Sequence, residues 1–161
     1  MTNQKKDITP EQALARLQRS CSLRETCSQA AQRKLAQWKI EPQAAAQIMQ
    51  RLMAEKWVDD RRYAAAFARE KSRLAKWGQV KIRTYLQAKR ISADDISHAL
   101  SFIEVENEAA ALEELLTKKA RTIKAKSAQD FFAKLLRFGV SRGYKYEAVA
   151  KAAREVATSN Q

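Results

Sequence analysis

The sequence contains few residues that interrupt helices: 3 Gly and 2 Pro among 161 residues. No segment sustains the two-residue alternation of apolar and polar side chains that is typical of a half-buried strand, whereas a 3.6-residue periodicity recurs along the chain. Hydrophobic residues make up 45% of the chain and charged residues 30%, as in globular helical proteins. These features predict an all-α fold.

Long apolar runs and metal-ligand clusters are also missing. No run approaches the ~20 apolar residues that a membrane-spanning helix needs, and the opening segment MTNQKKDITPEQ lacks the apolar stretch of a secretory signal. We therefore expect a cytoplasmic protein with reduced thiols and no membrane association. Cys21, Cys27 and His98 are too few ligands for a usual zinc site, so the expected metal content is none.

Catalytic motifs are absent as well. The sequence has no P-loop, no G-x-G-x-x-G and no H-E-x-x-H. His98 lies in the middle of a predicted helix, and the acid pairs 59–60 and 94–95 stand at predicted helix starts, where carboxylates cap exposed N–H groups. We expect a protein that is not an enzyme and has no cofactor.

Start signals and apolar periodicity together predict nine helices. Thr9-Pro10-Glu11-Gln12 is a capping box with Pro at the first helical position. The other predicted starts are Ser28, Glu41-Pro42, Asp59 or Asp60, Ser92, Glu106, Ser127 and Lys145, and a fifth helix is predicted to follow Trp77-Gly78. The fourth helix is predicted to bury Tyr63, Phe67 and Leu74, and the fifth Val80, Ile82, Tyr85 and Leu86. With most aromatic residues on buried stripes, no exposed platform for stacking nucleic-acid bases is expected.

Internal repetition accounts for the number of helices. An offset of 51 residues aligns Ile40 with Ile91, and an offset of 53 aligns Ile91 with Tyr144. Neighbouring apolar positions then coincide, with a departure at Gly139 in the third copy. We predict three tandem three-helix bundles that stack into an elongated, curved array. The predicted boundaries are a flexible segment 1–8, repeats 9–57 and 58–103, and a third repeat 104–161 that ends in a polar tail.

Positive charge is the most unusual property of the composition. The chain has 31 Lys and Arg against 18 Asp and Glu, a formal net charge of +13. This exceeds what solubility of a small domain requires, so attraction to nucleic acid or to an acidic protein surface is an alternative to a simple solvated surface. The predicted binding face lies on the fourth and fifth helices of the central repeat. It comprises Arg62, Arg69, Arg73, Lys76, Lys81, Arg83, Lys89 and Arg90.

Three strings of residues resemble the RecX family. They are Lys56-Trp57-Val58-Asp59-Asp60-Arg61-Arg62-Tyr63-Ala64 through Phe67, Trp77-Gly78 through Ile91, and Arg137-Phe138 with Arg142-Gly143-Tyr144. Arg90 stands where the family usually has Gly, which predicts a slightly different turn before Ile91. The resemblance covers residues 10 to 155 and implies three tandem three-helix repeats.

The resemblance also implies a function. RecX-like proteins bind the RecA recombinase on DNA and modulate, mainly inhibit, its strand exchange, ATP hydrolysis and co-protease activity. They thus act in homologous recombination, DNA repair and the SOS response, and some also bind single- or double-stranded DNA. A monomer is expected. The alternative is a general nucleic-acid-binding helical protein that acts through non-specific phosphate contacts.

Overall fold

The computed structural model describes residues 7–160, and within that range the chain forms nine α-helices and no strand. Their bounds are α1 Pro10–Leu23, α2 Ser28–Gln37, α3 Pro42–Ala54, α4 Asp60–Arg73, α5 Gln79–Ala88, α6 Ala93–Leu100, α7 Val105–Ala120, α8 Ala128–Ser141 and α9 Tyr146–Ser159. The all-α prediction is confirmed. None of these helices is long and apolar enough to cross a bilayer.

Three separate hydrophobic cores hold the helices in groups of three. The first core joins α1, α2 and α3, and includes Leu17, Leu35 and Leu52. The second joins α4, α5 and α6, and the third joins α7, α8 and α9. We call these groups repeats 1, 2 and 3. The predicted tandem three-helix bundles are thus present.

The repeats form an extended molecule. The accessible surface is 11319 Å², whereas a compact monomer of 18.3 kDa exposes about 8,100 Å². The excess arises because each small bundle buries a core of its own instead of sharing one large core. Of the predicted flexible segment 1–8, residues 1–6 lie outside the described residues, and Ile8 packs against the first core. The predicted polar tail is helical through Ser159.

The predicted repeat register places equivalent residues in equivalent surroundings. Ile40, Ile91 and Tyr144 each follow the second helix of their repeat, and all are buried. Gly139 departs from the pattern because the methyl groups of Val149 occupy the space that its side chain would fill. The third core therefore obtains from α9 the volume that a leucine on α8 would otherwise supply.

The three turns that precede these buried residues share one backbone conformation. Lys39, Arg90 and Gly143 have φ values of 56°, 57° and 94°, in the left-handed region. In each case the next residue donates its N–H five residues back along the helix, for example Ile91 to the Leu86 carbonyl at 3.1 Å. The expectation of a different turn at Arg90 is wrong, because the arginine adopts the conformation that favours glycine.

Replacing Lys39 and Arg90 by glycine is expected to stabilise the protein. Left-handed conformation costs a non-glycine residue ~1–2 kcal/mol, and the greater freedom of glycine in the unfolded chain returns part of this gain. The double variant Lys39→Gly/Arg90→Gly should therefore raise the free energy of unfolding by about 1 kcal/mol in urea titrations. Lys89→Gly, at the residue before the turn, where φ is −82°, serves as the control and should destabilise. A fall in stability of the double variant would contradict the strain argument.

Most predicted helix starts are confirmed, with one error. Thr9 forms the capping box with Gln12, and Ser92 and Ser127 accept hydrogen bonds from their own helices. The predicted cap Ser28 is wrong: Cys27 occupies the N-cap of α2 and makes no side-chain capping hydrogen bond. The cap comes instead from the neighbouring repeat.

Carboxylates of one repeat cap helices of the preceding repeat. Asp60 at the start of α4 accepts from the Ser28 backbone N–H at 2.7 Å and from its hydroxyl at 2.6 Å. Glu108 in the first turn of α7 accepts in the same way from the backbone and side-chain nitrogens of Gln79, at 3.3 and 2.7 Å. Both α2 and α5 lack a side-chain cap of their own. Each of these two helices therefore obtains its side-chain cap from the next repeat.

Backbone contacts add to the joint between repeats 2 and 3. Gly78 donates its N–H to the Arg142 carbonyl at 2.8 Å, and Val80 donates to the Gly143 carbonyl at 2.9 Å. A Cβ at Gly78 would overlap the Gly143 backbone. The Tyr144 hydroxyl donates to the Lys76 carbonyl at 2.9 Å, and burial raises its pKa to about 12, so it stays protonated and able to donate. Two of the strings that resemble RecX thus meet at this joint.

Candidate interaction surface

The basic side chains predicted on α4 have different surroundings. Arg69 and Arg73 are exposed and have no ion-pair partner among residues 7–160. Arg62 is engaged: its Nε lies 2.7 Å from Glu25 Oε1, and an Nη donates to the Lys56 carbonyl at 3.0 Å. Arg62 ties the end of repeat 1 to repeat 2, which restricts its freedom to contact a partner.

Lys76 lies beside acidic residues of repeat 3. With Arg73 it lines a groove of about 360 Å³ between α4 and α7. The same groove contains Glu104, Glu108 and Glu114, and the positive charge of Lys76 contributes, after Lys118, to a lowered pKa of Glu114. The three acids outnumber the two bases in this groove, so it is a weak attractor for a polyanion.

The predicted bases of α5 face two ways. Arg83 and Arg90 are exposed. The Lys81 amino group lies 4.3 Å from the centroid of the Trp77 ring, and Lys89 lines a groove between repeats 1 and 2. The structure therefore divides the predicted face. Arg73 and Lys76 lie beside repeat 3, as does Lys81, whose backbone nitrogen and Cβ adjoin Gly143. Lys89 lies on the side of repeat 1. A binding role for the eight residues stays a prediction.

An aromatic cluster connects α4 and α5. No sequence pattern described above predicts it. Its members are Tyr63, Phe67, Trp77 and Tyr85, with neighbouring ring centroids 4.9 to 6.2 Å apart. Lys71 lies 5.6 Å from the Phe67 centroid and 5.1 Å from that of Trp77. Cation–π pairs of this kind are worth ~0.5–1 kcal/mol at exposed sites.

Most aromatic side chains are buried or pack against one of the three cores, as expected, but three inward predictions for the fourth and fifth helices are wrong. Tyr85 is 48% exposed, Val80 is 46% exposed and Leu74 is 81% exposed, although all three were predicted inward. Leu74 follows the last residue of α4 and has left the buried face, and Tyr85 packs sideways on Trp77 rather than into the core. The spacing of Phe67 and Lys71, four residues apart on one helix, is the signal in the sequence that points to the cluster.

The largest cavity that we describe is a groove between repeats 1 and 2, of about 600 Å³. We call it the repeat 1–2 groove. Three aromatic side chains line it: Trp38, Tyr63 and Phe67. The cations along it are Arg16, Arg24, Lys34, Lys71 and Lys89, and the acids are Glu25 and Glu70.

Groups with chemical reactivity are few in this region. Both cysteines are free; Cys27 is buried in the second core, and burial raises the pKa of the Cys21 thiol. A raised pKa keeps the thiol protonated and weakly nucleophilic. Residues 7–160 contain no group of three or more His, Cys, Asp or Glu side chains arranged to hold a metal ion.

Comparisons with known sequences agree on one family. The family model described as RecX, second three-helix domain, matches residues 59–100. The regulatory protein RecX of Streptococcus sanguinis (strain SK36) is 30% identical over 115 residues, which cover 70% of this chain and 43% of that protein. The regulatory protein RecX of Clostridium botulinum (strain Eklund 17B / Type B) is 34% identical over 102 residues, covering 62% and 47%. The matches thus span less than half the length of these relatives.

Solved structures share the fold. The crystal structure of RecX from Lactobacillus salivarius superposes with a TM-score of 0.81 at 17% identity, covering 92% of this chain and 97% of that one. A crystal structure of regulatory protein RecX gives 0.83 at 21% identity, covering 91% and 73%. These similarities concern the fold.

The fold and its surfaces define an extended helical-repeat protein that presents basic and aromatic surfaces. The matched domain and the relatives, which are named regulatory proteins, identify its family. The chain belongs to the RecX family.

Proposed function

We propose that the protein binds the RecA recombinase–DNA filament and modulates it, mainly by inhibiting its recombinase, ATPase and co-protease activities. It would do so in the cytoplasm as a monomer, without catalysing a reaction itself. The observation that carries the proposal is membership of a family whose relatives are named regulatory protein RecX.

The architecture supports a filament as the partner. A helical filament offers the same binding site at regular intervals, and a row of three bundles can contact successive sites at once. Linked contacts raise the overall affinity because each further contact forms at high effective concentration. The extended surface of 11319 Å² provides more contact area than a compact protein of this size.

The charge distribution supports it as well. The formal net charge of +13 speeds encounter with DNA or with an acidic protein surface, because long-range attraction steers the approach. On repeat 2, Arg69, Arg73 and Arg83 are exposed. We propose that this face makes part of the contact.

The alternative function is non-specific nucleic-acid binding. The aromatic cluster with its lysines favours it, because stacked rings and cations are the groups that bind single strands. Binding through phosphates alone should weaken linearly with salt on a log–log scale. A filament-specific protein should instead retain its preference for recombinase-coated DNA over bare DNA at each salt concentration.

The direct test is a titration of RecA-driven ATP hydrolysis and strand exchange with the purified protein. We expect inhibition at amounts well below one molecule per recombinase protomer. If stoichiometric amounts leave both activities unchanged while bare DNA is bound, the alternative function is correct.

Charge reversal on repeat 2 tests the site. Arg69→Glu/Arg73→Glu/Arg83→Glu should raise the concentration needed for half-inhibition by roughly tenfold or more, because attraction becomes repulsion. The matched control is Arg121→Glu/Lys124→Glu/Lys151→Glu, which makes the same charge change at exposed positions of repeat 3 and should have a much smaller effect. Circular dichroism checks the helical content of both. Equal losses in the two variants would mean that only net charge matters.

A further inference from the structure

The repeat 1–2 groove lies between α1 and α2 of repeat 1 and α4 of repeat 2. The exposed Arg69 and Arg73 of α4 do not line it. Side chains of α1 and α2 form one wall, and Tyr63, Phe67 and Lys71 of α4 form the other. Its volume of about 600 Å³ is within the ~300–1,000 Å³ of sites that enclose a ligand. The groove is therefore large enough to take several side chains of a partner.

Positive charge dominates the rim. Five cations line the groove against Glu25 and Glu70, and Glu25 is already paired with Arg62 at 2.7 Å. Arg16 lies 5.7 Å from the Trp38 ring centroid and Lys71 lies 5.6 Å from that of Phe67, so each wall places a cation beside an aromatic ring. This arrangement attracts a ligand that combines negative charge with a large apolar group.

Glu25 contributes little repulsion to an acidic ligand. Its Oε1 is paired with Arg62, and its Oε2 is enclosed and out of reach of a ligand. The five cations and three aromatic side chains therefore set the preference of the groove, and a peptide segment can offer both carboxylates and a large apolar side chain.

We propose that the repeat 1–2 groove binds an acidic segment of a partner protein, which inserts an aromatic or large aliphatic side chain between Trp38 and Phe67. The acidic residues of the segment pair with Arg24 and Lys34 on one wall and with Lys71 on the other. This inference goes beyond the proposed function, and its test uses neither recombinase nor filament. If the groove does not bind such a segment, the proposed function is unaffected, and the reverse also holds.

The test measures binding of short fluorescein-labelled peptides by fluorescence anisotropy. One probe consists of Asp and Glu around a central Trp, a second has Gly in place of the Trp, and a third probe is oligo-dT of equal negative charge. The first probe should bind the full chain at least tenfold more tightly than the second, because only the first fills the aromatic pocket.

Paired variants locate the site. Arg24→Glu/Lys34→Glu should weaken binding of the Trp-containing probe by at least tenfold, whereas the equally charged control Lys124→Glu/Lys151→Glu on repeat 3 should change it less than about threefold. Three outcomes would overturn the proposal: equal binding of the two peptides, equal losses in the two variants, or tighter binding of oligo-dT that also depends on Arg24 and Lys34. The last outcome would identify the groove as a nucleic-acid site.

Discussion

Gly143→Ala is expected to be the most destabilising single substitution at the joint between repeats 2 and 3. A Cβ there would overlap the Cβ of Lys81 and lie 2.7 Å from its backbone nitrogen, and the residue has a φ of 94°. Overpacking costs ~1–3 kcal/mol and left-handed conformation ~1–2 kcal/mol. The free energy of unfolding should fall by about 2–5 kcal/mol.

Gly78→Ala separates the cost of steric overlap from the cost of the left-handed backbone conformation. Its φ is −79°, which alanine adopts without strain, so that only the overlap with the Gly143 backbone remains. We expect a loss of about 1–3 kcal/mol. Leu74→Ala is the control, because a side chain that is 81% exposed contributes little to stability. Urea titrations followed by circular dichroism measure all three. If Gly78→Ala is as stable as the original chain, the close backbone approach does not hold the repeats together.

Asp60→Ala is expected to have the second-largest effect. Asp60 accepts two short hydrogen bonds from Ser28, and hydrogen bonds to charged groups contribute ~1.5–3 kcal/mol each in favourable cases. Partial exposure and replacement by water reduce the sum, so we expect a loss of about 2–3 kcal/mol in unfolding free energy.

Asp59 and Asp94 provide graded controls for Asp60. Asp59 caps its own helix by accepting from the Arg62 N–H at 3.0 Å, so Asp59→Ala should cost about 1 kcal/mol. Asp94 is exposed in the first turn of α6, and Asp94→Ala should cost less than ~0.5 kcal/mol. Thermal and urea denaturation of the three variants should give the order Asp60, Asp59, Asp94. If Asp59→Ala proves more destabilising than Asp60→Ala, the cap across the joint is not the main contact.

The helices were predictable because their signals are local. The apolar period and the caps at Thr9, Ser92 and Ser127 lie within a few residues of the structure that they specify. The repeat register was equally accessible, since equivalent apolar residues recur at nearly constant offsets. These signals can be read without knowing the tertiary contacts between helices.

The joints and the groove were not predictable in the same way. Asp60 and Ser28 are 32 residues apart, and Tyr144 and Lys76 are 68 apart, so no local pattern pairs them. The exposure of Tyr85 depends on the path of the chain after α4, which its own helical period does not reveal. The strings shared with the RecX family marked Gly78 and Gly143 without showing that they touch.

The two joints differ in what crosses them, and this difference has a mechanical consequence. Between repeats 2 and 3, backbone groups bond directly to backbone groups, as Val80 does to Gly143. Between repeats 1 and 2, the described residues show only side-chain hydrogen bonds, such as those of Asp60 and Arg62. Side chains rotate at less cost than backbone, so we expect the joint between repeats 1 and 2 to bend more easily than the joint between repeats 2 and 3. Such bending would change the separation between the walls of the repeat 1–2 groove.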